Sequence, residues 1–436
     1  MTYTTFDNDR PELGSIKIRM PYANVGQFSA STGATGFEIE HFLSYELHED
    51  WTTPCAAFSF TLDADELSTD ERNAILPGVR VDVSIDDRVQ MIGFVDKIHV
   101  ASSPHGGTVL ALEGRDWLSP AVDAQVDPQV RFKAGMSLID VLSAVFGDFG
   151  MTAVAADNAA NRDAISGAIY GLRQSSRGTV SKKILTHQLK PYANEGAYQF
   201  ASRVSQRFGL WIRPSATFGT IVVTSPDFDQ ASRYTLHHKT DASAPFNNVE
   251  ESTVEWNREQ QPSIIFAAGG AGGGEFATSQ LRACVVNPLV ATPPNNLAAL
   301  IAKYPGIRQV PVPTPTQLSG TATVPIPDPN ARPAYLYDCE SHTQAQLEAF
   351  LLRELSLRMR KSLTARYTIE GHKIGGVAVT IDTMIDVDDD RAPLRTALYV
   401  FGRRFSKTLS GGTKTDLDLI RPGSLVFSDS DTDSSS

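Results

Sequence analysis

The sequence predicts an α+β chain that is mainly β, with antiparallel strand sets towards both ends and an α/β block between them. Three observations predict it. Residues 36–118 and 363–419 alternate apolar and polar side chains over strand-length runs bounded by turn residues. Between them, 137–146 and 195–208 carry apolar residues at helical spacing. At 436 residues the chain is too long for one ordinary core, and roughly 100–200 residues per domain gives two to four domains.

The first strands are 37–45, 57–62, where Phe58, Phe60 and Leu62 alternate against Ser59 and Thr61, and 79–85, where Val79, Val81, Val83 and Ile85 alternate against Arg80, Asp82 and Ser84. The stretch 93–124, GFVDKIHVASSPHGGTVLALEGRDWLSPAVDA, reads as a long hairpin running into a Gly-Arg-Asp-Trp turn. Phe94, Asp96, Ile98 and Val100 fall on one face and Val95, Lys97 and His99 on the other, while Thr108, Leu110 and Leu112 alternate with Val109, Ala111 and Glu113. The polar run 102–107 supplies the turn. Such strands make a small barrel or sandwich, with 65–75 as a connecting helix or loop.

From about Leu118 the period changes. The helix 137–146 buries Leu138, Val141, Leu142 and Val145, 155–179 is a long exposed loop, and 195–208 spaces Tyr198, Ala201, Val204 and Phe208 for burial, with Gly209 as its stop. Strands at 210–213 and 220–224 follow. A second β set begins near Val249 with 253–256 and 263–268 and is then interrupted. Pro288, Pro293, Pro294, Pro305, Pro311, Pro313, Pro315, Pro325, Pro327 and Pro329 mark an insertion at about 276–334, expected to be extended and irregular. The strongest helix is 343–362, with Leu347, Phe350, Leu351, Leu355 and Leu357 against Glu348, Arg353, Arg358 and Arg360. Strands return at 363–370, 383–387, 397–407 and 413–419, and 428–436 is an acidic, Ser-rich tail expected to be disordered. The resulting division is 1–118, 119–245, 246–427 with its insertion, and 428–436.

The net charge of −11 argues against a surface that grips nucleic acid, which needs clustered Lys and Arg. No apolar run approaches the roughly 18 residues of a membrane span, and the N-terminus shows no basic region followed by an apolar one, so cytoplasmic maturation is expected. Cys55, Cys284 and Cys339 are odd in number and far apart, which reads as reduced packing residues.

The chemical motifs are weak. The glycine run 269–274 follows an apolar strand, as a phosphate loop does, but no Lys-Ser or Lys-Thr follows, and Glu275 stands where a GxGxxG count from Gly270 needs glycine. A calcium loop over Asp386, Asp388, Asp389 and Asp390 would need glycine at Arg391 and glutamate at Ala397, so a hairpin tip is expected. His237 and His238 point to opposite faces of a strand and read as solvent-facing or interface residues rather than metal ligands. Glu113 and Asp116 are the carboxylates nearest the opening turn, yet Arg115 and the strand context make them salt-bridge or capping residues. No catalytic, cofactor or metal residue is assigned.

Four stretches in this order, GFVDK to LEGRDWLSPAVDA, VRFKAGMSLIDVLSAVFGDFGM, EGAYQFASRVSQRFGLWIRPSATFGTIVVTSP and TMIDVDDDRAPLRTALYVFGRRFSKTLSGGTKTDLDLIRPGSLVF, cover about half the chain. Together they resemble the hub proteins of contractile phage tail baseplates, related to the N-terminal part of the type VI secretion spike, the valine-glycine repeat protein. The resemblance implies two tube-like barrels, 36–118 and 246–275 with 335–427, flanking the α/β block. It implies a homotrimer forming a pseudo-sixfold ring, with tail tube or tube initiator protein, spike, baseplate wedge and tape measure proteins as partners. DNA would pass through without specific binding, no cofactor is implied, and the place is the virion baseplate after synthesis in the host cytoplasm. The chain ends nine residues after the last expected strand, at Phe427, so the spike is expected to be a separate polypeptide. The alternatives are the hub of a contractile injection or type VI-like secretion particle, and a tail-associated peptidoglycan hydrolase. A glycan-binding protein would cluster exposed aromatics in a loop, whereas Trp117, Trp211 and Trp256 sit at strand or turn positions suited to packing.

Overall fold

The computed structural model describes residues 11–21, 36–104, 107–130, 132, 136–155, 172–174, 180–182, 191–206, 210–215, 217–228, 230–240, 247–259, 261–269, 281–292, 294–312, 326–327, 330–338, 341 and 344–422. The architecture is α+β and mainly β. Thirteen strands form one sheet. The first seven are β1 (Ile16–Pro21), β2 (Gly36–Ile39), β3 (Ser44–Asp50), β4 (Ala57–Asp63), β5 (Arg80–Ile85), β6 (Arg88–Ser103) and β7 (Gly107–Asp116). The remaining six are β8 (Thr235–His238), β9 (Glu251–Trp256), β10 (Leu363–Glu370), β11 (Met384–Asp389), β12 (Leu394–Thr408) and β13 (Gly412–Ile420).

The order is β9-β10-β13-β12-β3-β4-β7-β6-β5-β1-β2, with β11 on β12 and β8 on β11. In place of two separate barrels, the described residues form one open sheet, because β12 pairs with β3 from Gly402↔Asp50 to Lys407↔Tyr45. Both strand sets bury one face in a common core, which includes Leu47, Phe60, Leu112 and Val95 from the first and Tyr367, Phe405, Leu417 and Leu419 from the second.

The two sets repeat each other. Adding 305 to the numbers of the β6–β7 hairpin gives the β12–β13 hairpin: Ser103 and Thr408 lead into the tips, Gly107 and Gly412 leave them, and the residues skipped by the register, Asp96 and Phe401, coincide. The flanking strands match as well. β4 pairs β7 from Ala57↔Arg115, and β10 pairs β13 from Thr364↔Ile420. β3 enters β4 at Ser44↔Thr61 and β9 enters β10 at Glu251↔Thr368.

The bulge at Asp96 corrects the expected strand faces. An inserted residue reverses the alternation beyond it, so Val95 and Ile98, predicted on opposite faces, both turn to the common core, while Phe94 packs on the core of the α/β block. Strict period-two reading has no term for an inserted residue.

The α/β block packs helices Ser119–Asp123, Leu138–Phe146 and Ala197–Gln206 against a sheet of Trp211–Pro214, Thr220–Thr224 and the parallel strand Thr152–Ala155. Ser137 caps its helix reciprocally with Asp140, and Leu138, Val141, Leu142, Val145 and Phe146 are buried. Phe208 and Gly209 lie outside the described residues, as do most of the loop 155–179 and the tail 428–436. β8 leaves the block to join the main sheet.

The Pro-rich insertion needs correction. Leu281–Val286, Arg308–Val310 and Pro333–Asp338 join Ile264–Gly269 in a four-stranded mixed sheet. Helix Gln344–Arg360 covers one face through Leu347, Leu351, Leu352 and Leu355, and helix Pro294–Ala302 lies by the other. The strand predicted at 263–268 therefore belongs to this unit and not to the second strand set. Pro294 starts a helix and Pro333 starts an edge strand, positions where a missing N–H breaks no ladder. Prolines punctuate these elements instead of dissolving them.

Candidate functional site

Where the two strand sets meet, a charged cluster ties three parts of the molecule together. The Arg403 guanidinium of β12 donates to Glu49 of β3 at 3.0 and 2.8 Å, and Arg213 of the α/β block donates to the other Glu49 oxygen. Arg403 also donates to Gln90 Oε1 at 3.1 Å and to the Val379 carbonyl, and the Arg213 guanidinium lies 4.8 Å from the centre of the Trp51 ring. Burial alone would raise the Glu49 pKa, but the two arginines outweigh it and hold the carboxyl below its usual range. Removing one partner of such a cluster leaves an uncompensated charge, which costs about 3–5 kcal/mol in buried pairs. Glu49, Arg403 and Arg213 were absent from the sequence reading; the available signal was Arg403 at a core-facing position two residues before Phe405.

The stretch 93–124 forms a second cluster. At the bulge, Arg115 donates to Asp96 at 2.6 Å and to Asp123 at 2.9 and 2.7 Å, tying the end of β7 to the first helix of the α/β block. Asp116 is 2% exposed and accepts from the N–H groups of Ala56 and Leu118 at 2.7 and 2.9 Å. Burial pushes its pKa up to about 6 against those donors. Both carboxylate oxygens are engaged in fixing the corner. Glu113 lies on the opposite, solvated face, 3.4 Å from Lys97. The two carboxylates thus take capping and salt-bridge positions and do not converge on a cleft.

His238 departs from expectation: it is 6% exposed, packed between Asp389 and Ser252. Asp389 Oδ2 and Ser252 Oγ lie 3.2 and 3.0 Å from the same ring nitrogen, Nδ1. A proton relay needs the hydroxyl and the carboxylate on different nitrogens, so this is a buried polar network. Burial raises the Asp389 pKa, but the Ala392 N–H, the Tyr367 hydroxyl and His238 together hold it below its usual value. The acidic run ends the β11–β12 hairpin as predicted, with Lys239 2.5 Å from Asp388 and Arg395 2.6 Å from Asp390. Gly269 closes its strand, and 270–274 lie outside the described residues.

Cys55 and Cys284 are buried and free, as read, while Cys339 lies outside the described residues. Trp117 and Trp211 are buried, but Trp256 is 51% exposed because β9 is an edge strand. Among the described residues no helix is long and apolar enough to cross a membrane.

No protein-family model matches the chain, and no curated protein does. Solved structures do. A tail protein from Neisseria meningitidis MC58 superposes with a TM-score of 0.64 at 20% identity, over 94% of this chain and 98% of the other. The 43 kDa tail protein of prophage MuSo2 from Shewanella oneidensis gives 0.61 at 17% identity, over 94% and 99%. A prophage tail protein from Listeria monocytogenes EGD-e gives 0.50 at 10% identity, over 93% and 94%. Over nearly its whole length, the chain has the fold of these phage tail proteins.

Proposed function

We propose that the chain is the structural hub of a contractile phage tail baseplate: a homotrimeric, pseudo-sixfold ring that joins a hexameric tail tube to the central trimeric spike and leaves a channel for DNA. The observation that carries this is the internal repeat within one continuous sheet. Three copies of a chain with two equivalent strand sets present six similar units, which adapts threefold to sixfold symmetry.

The solvated face of the sheet supports a channel wall. Across both sets, basic and acidic residues on it neutralise each other, with Lys97 beside Glu113, Arg404 beside Glu46 and Arg366 beside Asp418. Such a face offers passing DNA no concentrated positive charge. Tube, wedge and tape measure proteins are the neighbours this role requires.

The chain acts in this reading without catalysis. Zymography on cell-wall substrate checks that: clearing that vanished on Glu113→Gln or Asp116→Asn would replace the hub with a hydrolase. Analytical ultracentrifugation at micromolar concentration should give three chains per particle. A stable monomer or dimer there, together with tail particles lacking a ring of this protein, would overturn the proposal.

A further inference from the structure

The internal repeat assigns a partner to two sheet edges. Within one chain, β12 beyond its bulge pairs with β3, with Arg403 opposite Glu49, Phe405 opposite Leu47 and Lys407 opposite Tyr45. The counterpart of β12 is β6, and the counterpart of β3 is β9. Beyond its own bulge, β6 pairs on one side with β7, while its pairing with β5 ends at Phe94. β9 pairs with β10 and ends the sheet. Among the described residues, the two segments that repeat an internal junction, 97–102 of β6 and β9, are therefore each unpaired on one side. Six strands separate them along the path β9-β10-β13-β12-β3-β4-β7-β6, and among the described residues they do not pair with each other within one chain.

The geometry points to a head-to-tail junction between copies, in which the 97–102 segment of one chain adds antiparallel to β9 of the next in the register of the internal junction. Carrying the offsets across, Ile98 faces Trp256, Val100 faces Val254, and Ser102 faces Ser252 on the core side, while His99 faces Glu255 on the solvated side. The side chains fit this role. Val100 is 58% exposed and Trp256 51%, whereas Phe405 and Leu47, the internal counterparts of Val100 and Val254, are 0% and 2% exposed. Ile98 and Val254 already pack on the common core, so pairing would continue that core from one copy into the next. Where the internal junction is closed by Glu49 and Arg403, this one would be closed by Trp256 over Ile98. Unpaired edges with apolar side chains are templates for strand addition, and a heterologous contact of this kind closes into a ring of three when its rotation is about 120°.

The inference rests on the ring reading above and adds its register. Directly opposed antiparallel residues have Cα atoms about 4.5–5.5 Å apart, within disulfide reach. The test is oxidation of a Val100→Cys/Val254→Cys chain, read on non-reducing denaturing gels beside the unsubstituted chain, with particle mass measured on the same preparation. A covalent series ending at three chains is expected, absent from each single variant and from a Ser102→Cys/Trp256→Cys chain set four residues out of register. A particle of three chains without the 100–254 link, or with the displaced pair linking instead, overturns the register and leaves the ring standing. A single-chain mass with no link overturns both.

Discussion

Two buried titratable residues give the chain opposing responses to acid. Asp116 has its pKa raised to about 6, so its contribution to stability is full below the unfolded value near 3.8 and is lost as pH rises through 6. His372 is fully buried, with Tyr45 Oη 2.7 Å from its Nε2 and Thr415 Oγ1 3.0 Å from its Nδ1, and burial lowers its pKa to about 3. Its contribution is present above the unfolded value near 6.5 and is lost as pH falls. Between pH 4 and 6 the two slopes, each about 1.4 kcal/mol per pH unit, cancel. Acidifying Asp116→Asn from pH 6 to 4 should therefore lower stability more steeply than in the parent, and acidifying His372→Asn should raise it. Thermal melts across that window check the signs, and two variants with the same slope would refute the assignment. Glu49→Gln leaves Arg403 and Arg213 facing a neutral group and should lose about 3 kcal/mol or more at pH 7 in urea unfolding.

Among the elements, the β6–β7 hairpin depends on two glycines for close approach. A Cβ on Gly114 would lie 2.2 Å from the Phe94 carbonyl oxygen and 2.2 Å from Phe58 Cζ, and one on Gly93 would lie 2.3 Å from the Arg115 carbonyl oxygen. Backbone cannot retreat from such contacts. Gly114→Ala should abolish soluble folded protein, and a variant melting within a few degrees of the parent would show that the corner can open. Leu351 is 0% exposed beneath the four-stranded sheet, so Leu351→Ala should cost about 2–5 kcal/mol. Hydrogen exchange should locate that loss in 264–360, the unit that contains the 276–334 insertion expected to be irregular. Element type was legible wherever alternation or helical period ran unbroken, as in β4, β5 and the helix Leu138–Phe146. It failed in the insertion, where Leu281–Val286 buries Ala283, Cys284 and Val285 in succession and Arg308–Val310 is only three residues long, so neither shows an alternation.

For the whole molecule, the repeat makes a paired prediction. Phe405→Ala at the internal junction should cost about 3–5 kcal/mol, while Val100→Ala at the equivalent exposed position should change single-chain stability by less than about 0.5 kcal/mol. Equal losses in dilute denaturant titrations would mean that Val100 is covered within one chain. By itself the sequence determined the α+β class, the two strand sets around an α/β block, the long hairpin with its charged corner and the salt-bridge or capping nature of Glu113 and Asp116, because periodicity and turn chemistry are local. Only the tertiary structure decided that the two sets share one sheet and one core, that bulges at Asp96 and Phe401 mark an internal repeat, and that Glu49, Arg403 and Arg213 meet. Those facts depend on residues up to 354 positions apart in the chain, as Glu49 and Arg403 are, and no local pattern records which distant strand a given edge will join.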